Sequence, residues 1–338
     1  MGSARHNIDA LDGLRGLAAL MVMVSHMSGF GHFFEARGTG QNGVMLFFVL
    51  SGFLMAYLYC GDKRTDNEWT DYAFRRVFRV YPLYFAVVTG VILFSLAGSS
   101  HFFGQITLAD YWHLVTLRSG FSVFWTIPVE MKFYLVLPVV IVLARLFRPG
   151  PDRLLLFMAF LVFAFAIYRV PENTSLLRGI PFFAAGMLAG VLHRHLGTIA
   201  GDARWLRILA TVLTPLLLLA GFFTLPPLSA VTGWVNPIWY APVLFAGLYA
   251  ALTLGVANAA GPVAWIFSNP ISRYVGQISF AVYLLHMPVL AAVSRLDVAP
   301  PAAFALDVVL VIGLASAAHF VIERPMRNVG YALSARFR

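Results

Sequence analysis

Long blocks of apolar residues alternate with short polar connections along the whole chain. Ten blocks approach the length of a membrane span, covering roughly 10–30, 42–60, 80–98, 121–145, 153–169, 177–195, 205–223, 238–256, 275–294 and 302–322, with the fifth the shortest. Backbone polar groups in lipid must be satisfied within their own segment, so each block predicts a helix. Alternating apolar and polar strand patterns are absent, which argues against a barrel. The expectation is an all-α integral membrane protein, a polytopic bundle of about ten transmembrane helices. The polar stretch 61–79 turns basic towards its end. Its segment TDYAFRRVFRVYP, starting at Thr70, predicts a short interfacial helix ended by Pro82.

Composition agrees. Of 338 residues, 60% are hydrophobic and 12% charged, whereas a soluble domain carries about a quarter charged residues. The net charge of +9 would suggest nucleic acid were it not for where the basic residues fall. With the N-terminus in the cytoplasm, seventeen lie inside: Arg5, Lys63, Arg64, Arg75, Arg76, Arg79, Arg145, Arg148, Arg153, Arg194, Arg204, Arg207, Arg273, Arg324, Arg327, Arg336 and Arg338. Five lie outside: Arg37, Arg118, Arg169, Arg178 and Arg295. This split follows the positive-inside rule and places both termini in the cytoplasm, with membrane lipids rather than nucleic acid as the surroundings. The single cysteine, Cys60, excludes a disulfide framework and a cysteine-based metal cluster. No cleavable signal is evident, because Arg15 interrupts the first apolar block. Residues 1–338 read as one transmembrane domain with no fused soluble domain. Trp112, Trp125, Trp234, Trp239 and Tyr240 fall near the outer face, where an aromatic belt accounts for them.

Two basic side chains remain inside spans, Arg15 and Lys132, and they direct attention to the chemistry. In LRGLAALMVMVSH, Arg15 and His26 are eleven residues apart. At about 100° per residue that is three turns plus about 20°, so the two side chains share a face about 16 Å apart along the axis. Asp12, three residues before Arg15, is placed to pair with it. Ionisable residues in spans mark function by default, although Arg15 alone could snorkel to the inner headgroups. Histidine suits proton transfer near neutral pH, and an arginine three turns away suits an anionic ligand entering from the cytoplasm. A long, phosphate-bearing, thioester-tipped molecule fits this layout, and acyl-coenzyme A is the candidate. Arg75, Arg76 and Arg79 lie at i,i+4 and i,i+3 spacings and can converge on one multiply charged anion; positive-inside bias with headgroup contact is the competing reading. Glu130 lies inside the fourth block, with Lys132 on a nearly opposite face, so each needs a partner on another helix or a polar cavity. His286 lies in the ninth block, and Glu323 at the inner end of the tenth within reach of the arginines. Ser51-Gly52 permits close helix packing. As a nucleophile Ser51 has no base near it in sequence.

These motifs, in order, resemble the acyltransferase-3 family of membrane acyltransferases, from about Ile8 to Pro325. LDGLRGLAALMVMVSH holds the arginine, ten residues, then histidine; FFVLSGF surrounds Ser51; RRVFRVYPLY carries Arg75, Arg76 and Arg79. WTIPVEMKFYLVLP carries Glu130, ISFAVYLLHMP carries Tyr283 and His286, and IERP carries Glu323. The glutamate segment departs from the family's usual tryptophan-serine-leucine, reading Trp125-Thr126-Ile127-Pro128, and Met131 and Lys132 stand where a second acidic or polar residue is usual. The resemblance implies a bacterial plasma-membrane O-acyltransferase that moves an acyl group, most often acetyl from acetyl-CoA on the cytoplasmic side, to a hydroxyl of a surface or exported polysaccharide or of its lipid-linked sugar, without a metal. It implies His26, Arg15 and Glu130 as catalytic residues and Arg75, Arg76, Arg79 and Arg15 as donor-binding ones. Asp12, Ser51, Tyr283, His286 and Glu323 would support them. Acylation of a small molecule such as a macrolide competes with glycan acylation. A transporter or proton-coupled channel would use the same intramembrane charges, but no inverted repeat is found in the sequence.

Overall fold

The computed structural model describes residues 9–30, 39–61, 68–96, 106–148, 151–168, 175–199, 208, 211–212 and 242–336. Among them every regular element is helical. In chain order these are α1 (Asp9–Gly29), α2 (Thr39–Tyr59), α3 (Glu68–Leu96), α4 (Leu108–Val115), a 3₁₀ turn (Ser122–Trp125) and α5 (Thr126–Arg145). There follow α6 (Pro151–Ala166), α7 (Leu176–Ile199), α8 (Pro242–Asn258), α9 (Gly261–Ser268), α10 (Pro270–Val293), α11 (Pro300–Ala318), a π-helical turn (His319–Glu323) and α12 (Arg324–Ala335). Seven helical runs among the described residues are long and apolar enough to cross a membrane. An eighth is formed if α8 and α9, bent by 97° where they meet, count as one broken span. The expectation of ten is met only to that extent. With 16 residues, α6 is about 24 Å long, short of a hydrocarbon core of about 30 Å. The block at 205–223 lies almost wholly outside the described residues.

The segment from Thr70 to Pro82 is not a separate interfacial helix. It is the first half of α3, which runs unbroken through Pro82. Proline removes one backbone bond and ends helices readily in water, but a chain entering lipid has no better partner for its remaining carbonyls, so the helix continues. On either side of the proline, the Tyr81 and Tyr84 hydroxyls donate to the carbonyls of Val115 (2.9 Å) and Leu114 (3.0 Å) at the end of α4. At the start of α4, Thr107 and Asp110 form a reciprocal capping box. The Thr107 hydroxyl and then its backbone N–H hold the Asp110 carboxyl below the ordinary carboxylate range. Trp112 is exposed, as a belt residue would be, but Trp125 is buried, packed edge-on against Phe48 and under the Arg178 guanidinium. Trp234, Trp239 and Tyr240 lie outside the described residues.

Apolar side chains gain little by leaving lipid for another helix, so spans associate where small residues let backbones approach. Gly52 and Gly186 do this between α2 and α7: a Cβ on Gly186 would stand 2.0 Å from the Val49 carbonyl oxygen, and one on Gly52 2.2 Å from that of Phe183. Neither backbone can yield locally. Gly186→Ala is therefore expected to cost about 1–3 kcal/mol, read as a lower melting temperature of the detergent-solubilised protein. Three cations close the end of α2, whose last carbonyls have no helical partner. Arg194 donates to Tyr57, Arg145 to Tyr59 and Arg153 to Cys60, at 2.6, 2.7 and 2.9 Å. Arg145 also forks onto Glu68 at 2.6 and 2.8 Å, tying α3 to α5.

A second glycine contact positions the chemistry. A Cβ on Gly276 would lie 2.0 Å from the Asp12 carbonyl oxygen, and one on Gly16 would lie 2.9 Å from the Gly276 nitrogen. Gly16 and Gly276 are 260 positions apart. So are His26 and His286, which also touch. A constant offset means that α1 and α10 run parallel and stay in register from one contact to the other. Ten residues at 1.5 Å each carry the contact about 15 Å along the pair.

Candidate active site

His26 and His286 form a contact pair. Their rings lie 5.1 Å apart, with His286 Nε2 3.2 Å from His26 Nδ1. His26 Nδ1 is also 2.8 Å from the Val22 carbonyl one turn back. His286 is fully buried, and its Nδ1 faces the carbonyls of Tyr283 (2.7 Å) and Val282 (3.2 Å).

A cavity lies on the Arg15 side of this pair. Arg15, Phe47, Ser51, Arg76, Arg79, Thr126, Glu130, Tyr134, Phe280 and Tyr283 are among its lining residues. It draws on α1, α2, α3, α5 and α10, so it exists only once the bundle has assembled. Three arginines and one carboxylate face it, an excess of two positive charges. Arg15 is weakly paired with Asp12 at 3.9 Å. Arg76 lies over the Tyr134 ring, 5.7 Å from its centre. Neither Arg76 nor Arg79 has a carboxylate within salt-bridge distance among the described residues. Such a site is short of an anion.

Glu130 is held from two sides. One oxygen, Oε1, accepts from the Ser51 hydroxyl at 3.0 Å and from the Tyr134 hydroxyl at 2.5 Å. At the other end of the cavity, the Tyr283 hydroxyl donates to the Val123 carbonyl at 2.6 Å and accepts from Thr126 at 3.0 Å. The Tyr283 ring packs edge-on against Phe47 and sits 5.9 Å from the His286 ring. Tyr283 precedes His286 by three residues, so the cavity lining ends about one helical turn, roughly 4.5 Å, short of the histidine pair.

Of the residues singled out from the sequence, Arg15, Ser51, Arg76, Arg79, Glu130 and Tyr283 share the cavity, and His26 meets His286 just beyond it. Arg75 turns the other way. It pairs with Asp71 at 2.7 Å and lies over the Tyr331 ring of α12; Asp71 also accepts a hydrogen bond from Ser334. Glu323 pairs with His319 at 3.0 Å inside the π-helical turn, although it and Arg79 are within electrostatic reach of Arg15. Lys132 is half-buried and is not among the lining residues. Sequence reasoning missed Thr126 and Tyr134. Both sit four residues from Glu130, so the helical face of α5 carried the signal. As a nucleophile Ser51 was set aside for want of a base near it in sequence, whereas Glu130 reaches it from 79 positions away.

Fold and cavity define a multi-pass membrane protein that gathers positive charge inside its helix bundle beside a pair of touching imidazoles. The chain belongs to the acyltransferase-3 family, a class of acyl-transferring enzymes: the family's acyltransferase domain matches residues 8–322. It is similar to the peptidoglycan O-acetyltransferase OatA of Listeria monocytogenes, with 24% identity over 97% of this chain and 57% of that protein. It is also similar to the acyltransferase MdmB of Streptomyces mycarofaciens, with 29% identity over 96% of this chain and 92% of that protein. The chain thus spans a little over half of the Listeria relative and nearly all of the Streptomyces one. No solved structure matches it.

Proposed function

We propose that the protein is a plasma-membrane O-acetyltransferase. It takes acetyl from acetyl-CoA on the cytoplasmic side and delivers it to a hydroxyl of a surface or exported glycan. The observation that carries this reading is the cavity with three arginines and one carboxylate that ends a helical turn from a histidine pair. Arg76, Arg79 and Arg15 hold the donor's phosphates; Arg75 has no part, since it is spent on Asp71. Ser51, Glu130 and Tyr134 line the passage taken by the polar arm. The thioester reaches past Tyr283 to His26, which acts as general base on the acceptor hydroxyl arriving from the other side. The relative named a peptidoglycan O-acetyltransferase supports a glycan acceptor. Arg145, Arg153 and Arg194 at the end of α2 support a cytoplasmic face there.

The test compares mass spectra of surface glycans from a deletion strain, the wild-type complement and a His26→Ala complement at matched expression. Acetyl groups lost on deletion and restored only by the wild type are expected. Unchanged glycans in all three strains would overturn the glycan reading. In the purified protein, release of the free CoA thiol on adding acceptor separates transfer from transport: a transporter releases none.

A further inference from the structure

The hydrogen bonds around the histidine pair determine which nitrogen is free to react. Carbonyl oxygens only accept. His286 Nδ1 faces two of them, so it carries the proton of that ring, and His286 Nε2 presents a lone pair. His26 Nδ1 faces that lone pair and the Val22 carbonyl, two acceptors, so it too is protonated. The lone pair of His26 is therefore on Nε2. His286 is fully buried and both of its nitrogens are engaged, so it does not touch substrate; His26 is only partly buried.

We infer that His26 Nε2 is the basic atom of the acyl transfer and that His286 is a positioning residue, which holds the His26 ring through the Nδ1–H···Nε2 bond and stays neutral throughout. This rests on the reading of His26 as general base. In the step it serves, the acceptor hydroxyl gives its proton to His26 Nε2 as its oxygen bonds to the thioester carbonyl carbon. The tetrahedral adduct collapses with cleavage of the carbon–sulfur bond, and the departing thiolate takes the proton back from Nε2. His26 ends as it began, and the products are the ester and a free thiol. While His26 is an imidazolium, its Nδ1–H still has the His286 lone pair and the Val22 carbonyl to donate to. If the ring flipped, a C–H would point at both acceptors, and Nε2 would leave the reacting position. Setting the ring in this way follows the general rule that the partner of one imidazole nitrogen fixes the role of the other.

The experiment uses the full-length protein in detergent with acetyl-CoA and a glycan acceptor, reading free thiol. Misplacement of a reacting group by about 1 Å costs about 10²-fold, so His286→Leu is expected to lower kcat by about that factor, with KM for acetyl-CoA within about threefold. His286→Gln retains a carbonyl that can accept from His26 Nδ1–H and is expected to recover at least about tenfold of the loss. Histidine-¹⁵N spectra, with His26 assigned by its loss in His26→Gln, should show Nδ1 protonated and Nε2 bare. The inference is overturned by a His286→Leu rate within twofold of wild type, by equal losses in the leucine and glutamine variants, or by a proton on His26 Nε2. An active His26→Ala variant would instead remove the general-base reading beneath it. The spectra and the glutamine variant still decide the matter if His286→Leu does not fold.

Discussion

Replacing His26 with alanine is expected to lower acetyl transfer by about 10²–10⁴-fold, the usual contribution of a positioned general base. Binding of the donor should be nearly unchanged, because His26 lies outside the cavity lining and the arginines proposed to hold the phosphates stay in place. The two effects separate in one titration: acetyl-CoA still saturates the variant at a concentration close to that for wild type, but the plateau rate collapses. This pattern marks a group that acts in the transition state rather than in ground-state binding. His26→Gln should be no better than alanine, since an amide nitrogen is not a base. A His26→Ala plateau within threefold of wild type would mean that the acceptor is deprotonated elsewhere. Ser51 with Glu130 would then be the next place to look, because there a hydroxyl already donates to a carboxylate inside the cavity.

The same pair shows how far the sequence could lead. Spacing along one helix was legible. Eleven residues from Arg15 to His26 put the two side chains on one face of α1, and in the fold Arg15 lines the cavity while His26 stands just beyond it. Composition and block length announced the spans, because lipid allows the backbone few alternatives. Partnerships between helices were not legible. That His26 meets His286 depends on Gly16 and Gly276 setting a parallel register 260 positions apart, and nothing local in either segment encodes the offset. Ser51 meeting Glu130 is the same kind of fact. The arginine motif illustrates the limit most clearly. Arg75, Arg76 and Arg79 look equivalent by spacing, and convergence of all three was the natural expectation. Successive helical positions turn by about 100°, however, and Asp71 with α12 claims Arg75 while Arg76 and Arg79 face inward. Only the position of α12, far along the chain, decides between them.

That division makes the arginines the next large test. Charge-assisted hydrogen bonds contribute about 1.5–3 kcal/mol each, and 1.4 kcal/mol is about tenfold in an equilibrium constant. The double variant Arg76→Gln/Arg79→Gln is therefore expected to raise KM for acetyl-CoA by about 10²–10⁴-fold. Its extrapolated kcat should fall far less, because the phosphates are bound as tightly in the ground state as in the transition state. Lysine in place of Arg79 keeps the charge but loses the planar fork, so its KM should lie between wild type and glutamine. Shortened donors sharpen the comparison. S-acetylpantetheine carries no phosphate, so the double variant should use it about as well as wild type does. Arg75→Gln is the control within the same motif. Its guanidinium is already occupied by Asp71 at 2.7 Å and by the Tyr331 ring, so KM should stay within about threefold while the melting temperature falls. If instead Arg75→Gln raises KM as much as Arg79→Gln, the phosphates lie against the α3–α12 face. The cavity between Arg15 and Tyr283 would then hold some other ligand.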